Sequence, residues 1–195
     1  MKKSELIISD TNILIDLFQT NLLKDFFSLP YKIKTTTYVI TEIVEAKQLE
    51  MIKPFIDSNK LEIVQPDEKT FHDLMLLALV TPGDLSIADC SVWQEAKKTH
   101  AKLLTSDKNL RKAAEKDNVV VHGCLFVFDE LIKHGKKKPS EIIAATKNLI
   151  SLNERFPKKL AQEKIKKWIS APLNNVDQTM KKSPKSSDDD FGPKV

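Results

Sequence analysis

Cysteines, long apolar runs and nucleophile motifs are scarce or absent in this sequence. Its 195 residues include only Cys90 and Cys124, without the Cys/His spacing of a zinc site. No apolar run approaches the roughly 18 residues of a membrane helix, and the basic start lacks the apolar segment of a signal peptide. No Gly-x-Ser-x-Gly or Cys/His nucleophile arrangement is present. We therefore expect a reduced, cytoplasmic protein without membrane contact.

Charge is distributed unevenly along the chain. Residues 1–135 hold 17 basic and 20 acidic side chains, whereas residues 136–195 hold 14 basic and 7 acidic ones. An acidic body with a basic C-terminal arm suits a carboxylate-rich site beside a surface that favours polyanions. The same distribution is also expected of an ordinary lysine-rich surface exposed to water.

Strand and helix patterns alternate through the first 135 residues. Strand-like segments occur at residues 5–9, 31–36, 60–64, 101–105 and 118–122, separated by segments of helical periodicity. Several of these strands are uniformly apolar, which is typical of a parallel sheet buried on both faces. The pattern predicts an α/β domain over residues 1–135.

The remainder of the chain is predicted to be a basic helical extension, residues 136–170, and a disordered tail, residues 171–195. The extension could clamp nucleic acid, with Trp168 available for stacking. It could instead pack apolar side chains onto the body as added core, and we favour this interpretation. The apolar candidates are Ile142, Ile143, Leu149, Ile150 and Leu152.

Two apolar strands end in an aspartate that precedes a helix. Asp10 lies in "LIISDTNIL" and Asp107 in "LLTSDKNL". In an open parallel sheet, ligands bind beyond the carboxyl ends of the strands, which is where both aspartates fall. Aspartate is also a favoured helix N-cap, so each could serve only as a cap.

Two further acids have competing interpretations. Asp89 in "SIAD" matches a capping box with Ser86, which would account for it without any catalytic role. On a helical wheel over residues 37–46, Glu42 borders an apolar stripe that includes Val39, Ile43 and Val44. A carboxylate at such a border needs a partner unless it reaches solvent.

The combination of four acids indicates a metal site. Carboxylates crowded together repel one another, and a hard divalent cation relieves that repulsion. Mg²⁺ and Mn²⁺ prefer oxygen ligands and can assist hydrolysis of a phosphodiester. Asn12 stands where a phosphatase with an aspartyl nucleophile needs a second acid, so that class of enzyme is disfavoured.

The segments "SDTNILIDL", "TEIVEA", "LSIADCSVWQEA" and "LLTSDKNLRKAAE" resemble, in order, the acidic motifs of PIN-domain nucleases. That family includes VapC-type ribonuclease toxins, and the resemblance covers residues 5 to about 130. It implies a three-layer α/β/α fold around a parallel sheet of about five strands. It also implies a quartet that binds Mg²⁺ or Mn²⁺, formed by Asp10, Glu42, Asp89 and Asp107.

Other candidate site residues lie in or beside these motifs. Thr11 and Asn12 match the small polar residues after the first acid, and Thr105 and Ser106 match those before the last. Asp84 is either an auxiliary ligand or a turn residue, and Asp16 either supports the site or faces solvent. Three basic residues after the last acid are candidates for contacts with a phosphate backbone, or form a solvated helix face: Lys108, Arg111 and Lys112.

The resemblance implies a metal-dependent ribonuclease, with RNA as substrate. A toxin role, a small antitoxin partner and a homodimer are compatible with it. The alternative is a catalytically idle PIN fold that binds protein or RNA, although all four acids being present favours activity.

Overall fold

The computed structural model describes residues 5–170 of the chain. A parallel sheet of five strands, in the order β3-β2-β1-β4-β5, forms its centre. The strands are β1 (Leu6–Ser9), β2 (Lys32–Thr36), β3 (Leu61–Val64), β4 (Lys102–Leu104) and β5 (Val121–His122). The predicted α/β fold with about five parallel strands is confirmed.

Both faces of the sheet are covered. Ile7 and Ile8 are adjacent on β1 and point to opposite faces, yet both are fully buried. Leu103 and Leu104 on β4 show the same pattern. Uniformly apolar strands therefore form because neither face meets water.

Ten helices surround the sheet in the described part of the chain. Those of the body are α1 (Thr11–Gln19), α2 (Leu23–Phe26), α3 (Thr37–Thr41), α4 (Ala46–Asp57), α5 (Glu68–Val80), α6 (Ile87–Thr99), α7 (Lys108–Lys116) and α8 (Cys124–Lys133). The extension contributes α9 (Pro139–Leu152) and α10 (Lys158–Ser170). None of these helices is long and apolar enough to cross a membrane.

The chain order creates a switch point beside β1. The chain runs from β1 outward to β2 and β3, then returns to place β4 on the other side of β1. At such a point the connections that leave the strand ends diverge, and a crevice opens beyond them. The residues that follow β1 and β4 border this crevice.

One predicted helix is wrong in its second half. Periodicity predicted a helix over residues 37–46, but α3 ends at Thr41 and α4 begins at Ala46. Ile43 is buried whereas Val44 is 92% exposed, so the two do not share a buried stripe. The segment is rich in β-branched residues, which lose side-chain freedom in a helix and weaken a continuous one.

The extension packs against the body, as we favoured. Five of its apolar side chains are buried: Ile142, Leu149, Phe156, Ala161 and Trp168. Leu152 is an exception and is 57% exposed. The indole Nε1 of Trp168 donates a hydrogen bond of 2.9 Å to Oδ1 of Asp129 on α8, so the ring is committed to the core rather than to stacking on a base. The boundary at residue 135 stays a prediction, and the predicted tail, residues 171–195, lies outside the described residues.

Candidate active site

Asp10 occupies the end of the central strand. Its backbone N–H donates to the carbonyl of Leu104 at 3.0 Å, which continues the pairing of β1 with β4. The carboxyl Oδ1 accepts from the N–H of Thr11 at 2.6 Å, so Asp10 caps α1. Oδ2 accepts from Nδ2 of Asn12 at 2.6 Å and from the hydroxyl of Thr105 at 2.7 Å. Both oxygens are thus held in place.

The environment of Asp10 opposes its ionisation. The residue is only 2% exposed. Burial raises the pKa of its carboxyl from 3.8 to about 7, although the hydrogen bonds from Thr105 and Thr11 pull the other way. Repulsion from Asp89 and Glu42 adds to the rise. These three acids are therefore close enough to feel one another's charge.

Glu42 approaches the site from the end of α3. The hydroxyl of Thr11 donates a hydrogen bond of 2.9 Å to its Oε2, which links α1 to the α3–α4 connection. The helical-wheel reason for selecting Glu42 was wrong, because the helix ends at Thr41. The side chain nevertheless has the partner that was expected of it.

Asp89 lies in the first turn of α6 and forms the predicted capping box. Its Oδ2 accepts from the N–H of Ser86 at 2.9 Å, and the Ser86 hydroxyl accepts from the N–H of Asp89 at 3.0 Å. Burial raises the pKa of the Asp89 carboxyl against the effect of these bonds, and repulsion from Asp107 and Glu42 contributes. Asp89 therefore caps α6 and at the same time is repelled by the neighbouring acids.

Asp107 follows β4 and caps α7. Its Oδ1 accepts from the N–H groups of Asn109 and Leu110 at 2.7 and 2.8 Å. Its own N–H donates to the hydroxyl of Thr105 at 3.0 Å. Thr105 thus connects the first and last acids directly, because it also donates to Asp10.

The remaining predicted residues divide into two groups. Ser106 joins the site through its N–H, which donates to Oδ1 of Asn12 at 2.9 Å. Asp84 is exposed and has a left-handed backbone with φ of 52°, as expected of a turn residue. The adjoining turn is tied to α7, since Nδ2 of Asn109 donates to the carbonyl of Gly83 at 2.8 Å.

The three basic candidates are not equivalent. The guanidinium of Arg111 donates to the carbonyls of Val121 and Thr105 at 3.0 and 3.2 Å and forms an ion pair with Glu115. Arg111 therefore has a structural task in joining α7 to the sheet edge. Lys108 and Lys112 are exposed. Contact of these three with nucleic acid stays a prediction.

Sequence reasoning left open the role of Asp16 and missed Asn153. Asp16 on α1 is buried, and its Oδ1 accepts from Nδ2 of Asn153 at 3.1 Å. Its Oδ2 lies 3.5 Å from the hydroxyl of Ser106. Burial raises the pKa of Asp16 to about 6, and both hydrogen bonds oppose that rise. A residue of the extension is therefore coupled to the loop that precedes the last acid.

The donor set suits a hard divalent cation. Within residues 5–170, Oδ1 of Asp89, Oδ2 of Asp107 and Oε1 of Glu42 accept no hydrogen bond, so each acid keeps one oxygen available. Carboxylate oxygens are the ligands preferred by Mg²⁺ and Mn²⁺. Three or more acidic, histidine or cysteine side chains are not gathered into one coordination sphere anywhere in this part of the chain. Binding would therefore draw the acids together.

The family of this chain is shown by comparison with family models. The model described as "DUF3368: PIN domain" matches residues 6–170, which includes both the body and the extension. The chain belongs to this PIN-domain family. PIN domains are generally nucleases that use divalent metal ions.

Two solved structures are similar to part of the chain. No curated protein matches the chain. A PilT N-terminus domain protein from the archaeon Sulfolobus solfataricus P2 is 14% identical, with a TM-score of 0.38, covering 63% of this chain and 89% of that one. VapBC2 from Rickettsia felis, solved bound to a promoter DNA fragment, is 16% identical, with a TM-score of 0.41, covering 60% and 98%. At these TM-scores neither likeness supports a functional conclusion.

Proposed function

We propose that this chain is a nuclease that hydrolyses phosphodiester bonds of RNA with Mg²⁺ or Mn²⁺ as cofactor. The cation is held by Asp10, Glu42, Asp89 and Asp107. The observation that supports this most strongly is the state of Asp10: a buried carboxyl at the end of the central strand, with a pKa of about 7 and two acidic neighbours that repel it. The hydrogen-bond partners of Asp10 are all neutral, so its ionised form is disfavoured in this buried place unless a cation binds there.

The chain's own residues prepare the site for a cation. Thr105 and Asn12 fix Oδ2 of Asp10, and the N–H of Thr11 fixes Oδ1, so the other acids would move toward a carboxyl that is already held in place. Capping holds Asp89 and Asp107 at the starts of α6 and α7, and the two carboxylates are close enough to repel each other. When bound, the cation neutralises charge on the phosphate and lowers the pKa of a water.

The proton of Asp10 matters for binding. With a pKa of about 7, this carboxyl is partly protonated at neutral pH. A cation binds the ionised form and releases the proton, so affinity rises as pH increases toward and past 7. Lys108 and Lys112, which are exposed at the start of α7, attract the phosphate backbone toward this edge.

A cleavage assay tests the proposal. The wild type and an Asp10→Asn/Asp89→Asn variant are stripped with EDTA and incubated with a mixed pool of single-stranded RNA before and after addition of Mg²⁺ or Mn²⁺. An Asp57→Asn/Asp73→Asn variant is the control, because it makes the same charge change at exposed positions on α4 and α5. Cleavage by the wild type and control, only with metal, is the expected result.

The opposite result would point to the alternative. If no protein cleaves RNA with either metal, the acids act only as helix caps, and the chain is an idle PIN fold that binds protein or RNA. A parallel incubation with single-stranded DNA decides whether the substrate is RNA alone.

The biological role is the finer part of the proposal. A ribonuclease of this kind could be the toxin of a toxin–antitoxin pair, with a small antitoxin as partner and a homodimer as its assembly. Co-expression with the product of an adjacent small gene tests this, because an antitoxin would relieve growth inhibition and co-purify with the chain.

A further inference from the structure

A groove lies between the body and the extension, and Thr105 and Ser106 line part of it. Its volume is about 650 Å³, within the range of about 300–1,000 Å³ typical of ligand pockets. One wall comes from the sheet edge and α8, and the other from residues 155–157 and the first turns of α10. We call this cavity the extension groove.

The extension groove borders the candidate active site, although none of the four acids lines it. Thr105 and Ser106 line one end of it. The hydroxyl of Thr105 also donates a hydrogen bond to Asp10, and the N–H of Ser106 donates one to Asn12. A chain that lies along the groove therefore passes beside two residues that hold Asp10 and Asn12 in place.

The groove is strongly basic. Its lining includes four cationic side chains and a single carboxylate, that of Asp129. Lys164 is paired with Asp129, and Arg111 is occupied by backbone carbonyls and Glu115. Lys108 and Arg155 have no ion pair with any residue that the structure describes. Two cations are thus available for phosphates, one on each wall.

An aromatic pair completes the lining. The rings of His122 and Phe126 stack with centroids 4.0 Å apart and an interplanar angle of 9°. Both are partly exposed and both line the groove. Burial and the charges of Lys102 and Arg111 lower the pKa of His122, which favours the neutral ring. Flat rings beside cations are the usual elements of a site for unpaired bases.

The wall formed by the extension is held in place before any ligand arrives. Asn153 bonds to the buried Asp16, and Phe156 is 3% exposed in the core. On the other side Asp129 receives both Lys164 and the indole of Trp168. A preformed wall reduces the entropy that binding would otherwise cost.

We propose that the extension groove binds the single-stranded segment of RNA next to the bond that is cut, with Lys108 and Arg155 holding phosphates and His122 stacking on a base. This rests on the proposed ribonuclease activity and specifies how the substrate reaches it. An unpaired segment is required, because a base within a duplex offers no free face to the aromatic pair.

Binding of a labelled single-stranded RNA of about 12 nucleotides, measured by fluorescence anisotropy with the full chain in EDTA, tests this without cleavage. Arg155→Ala should weaken binding about five- to tenfold and lower the slope of log K against log salt by about 0.7, as for one lost phosphate contact. Lys147→Ala is the matched control, since Lys147 is exposed on α9 and does not line the groove. It should change binding less than about twofold.

Stacking is tested separately from charge. His122→Ala should weaken binding about tenfold without changing the salt slope, whereas His122→Phe should restore most of it because a flat ring is kept. Thermal unfolding of each variant shows whether the fold is intact. A duplex of the same sequence should bind more weakly than the single strand.

Two results would contradict the proposed RNA-binding role of the extension groove. One is binding of Arg155→Ala and His122→Ala within twofold of the wild type, and the other is equal weakening by Lys147→Ala. The experiments distinguish failure of the RNA-binding proposal from failure of the nuclease proposal. If the protein cleaves RNA with metal but these variants bind RNA as the wild type does, the RNA-binding role of the groove is rejected and the nuclease activity stands. If RNA binding depends on Arg155 and His122 but no cleavage occurs, the nuclease activity is rejected and the RNA-binding role of the groove stands.

Discussion

The hydroxyl of Thr105 donates a hydrogen bond of 2.7 Å to Oδ2 of Asp10 and accepts one of 3.0 Å from the N–H of Asp107. One buried side chain therefore connects the acid after β1 to the acid after β4. The connection lies at the point where the chain switches sides of the central strand, which is where a parallel sheet places its ligands.

Replacing Thr105 by valine should alter both stability and pH dependence. The change removes one of the two hydrogen bonds to Oδ2 of Asp10, which keeps the one from Asn12, and leaves the half-buried N–H of Asp107 without its acceptor. Together these losses cost about 1–3 kcal/mol of unfolding free energy. The lost hydrogen bond had lowered the pKa of Asp10, so that pKa should rise and the pH profile of cleavage should move to higher pH.

Thr146→Val is the control for that change. Thr146 is also buried, but its hydroxyl donates to the carbonyl of Ile142 within α9. It should affect urea unfolding while the pH profile stays in place. An equal displacement of the profile in both variants would show that Thr105 has no specific effect on Asp10.

Substitutions at Asp107 separate its capping role from its proposed role as a ligand. Asparagine is as good an N-cap as aspartate, so Asp107→Asn should unfold within about 0.5 kcal/mol of the wild type. Cleavage should fall by more than the roughly 10–100-fold typical of residues that only orient metal ligands. Asp107→Ala should lose activity and a further 0.5–2 kcal/mol, roughly, of stability.

The N-cap of α5 supplies the matched comparison. Asp67 accepts from the N–H of Thr70 at 2.7 Å and is exposed. Asp67→Ala should lose a similar amount of stability in urea unfolding while cleaving RNA normally. If Asp107→Asn also cleaves normally, Asp107 is only a cap.

The metal-free protein should lose stability as pH rises from about 4 to 7. In that interval the unfolded chain ionises Asp10 near its ordinary pKa of 3.8, whereas the folded chain keeps the proton until about pH 7. Fewer protons on the unfolded state make the folded state less stable with increasing pH, by about 2–4 kcal/mol from this group, and the effect is complete above pH 7. Asp16, with a pKa of about 6, acts in the same direction.

Comparison with Asp10→Asn isolates the contribution of Asp10. Urea unfolding of both proteins at intervals between pH 5 and 8 gives two curves, of which the wild type's should fall more steeply. His122 and the other titrating groups that do not interact with Asp10 contribute equally to both. Parallel curves would mean that Asp10 ionises normally in the folded protein.

Asn153 should be important for stability despite its distance in sequence from the acids. Asn153→Ala removes the donor to Oδ1 of Asp16 and the acceptor for the N–H of Arg155. We expect a loss of about 1–3 kcal/mol in urea unfolding and a higher pKa for Asp16. Asn148→Ala, at an exposed position on α9, should change stability by less than about 0.5 kcal/mol. Similar changes in unfolding free energy for the two variants would contradict the proposed coupling of the extension to the site.

The sheet was predictable because its signals are local. Apolar runs such as residues 5–9 and 101–105 are typical of a parallel sheet buried on both faces, and the acids that follow them fall at one edge. The capping box at Ser86 and Asp89 can likewise be recognised from four consecutive residues. Direct neighbours in sequence determine all of these features.

The features that were missed depend on distant contacts. The pairing of Asp16 with Asn153 joins residues 137 positions apart, and no periodicity indicates it. The break between α3 and α4 was missed because the apolar spacing over residues 37–46 continues across it, whereas packing leaves Val44 exposed. The basic lining of the extension groove also arises only when the extension packs against α8.

Calorimetric titration of the EDTA-stripped protein with Mn²⁺ tests most directly whether the acids form a cation site. We expect binding at one or two sites, with protons released near pH 6.5 and almost none at pH 8, because Asp10 must ionise to bind. Asp10→Asn/Asp89→Asn should show no such heat, and Asp57→Asn/Asp73→Asn should match the wild type. Absence of binding to the wild type, or equal binding by the Asp10→Asn/Asp89→Asn variant, would contradict the assignment of these acids as a metal-dependent nuclease centre.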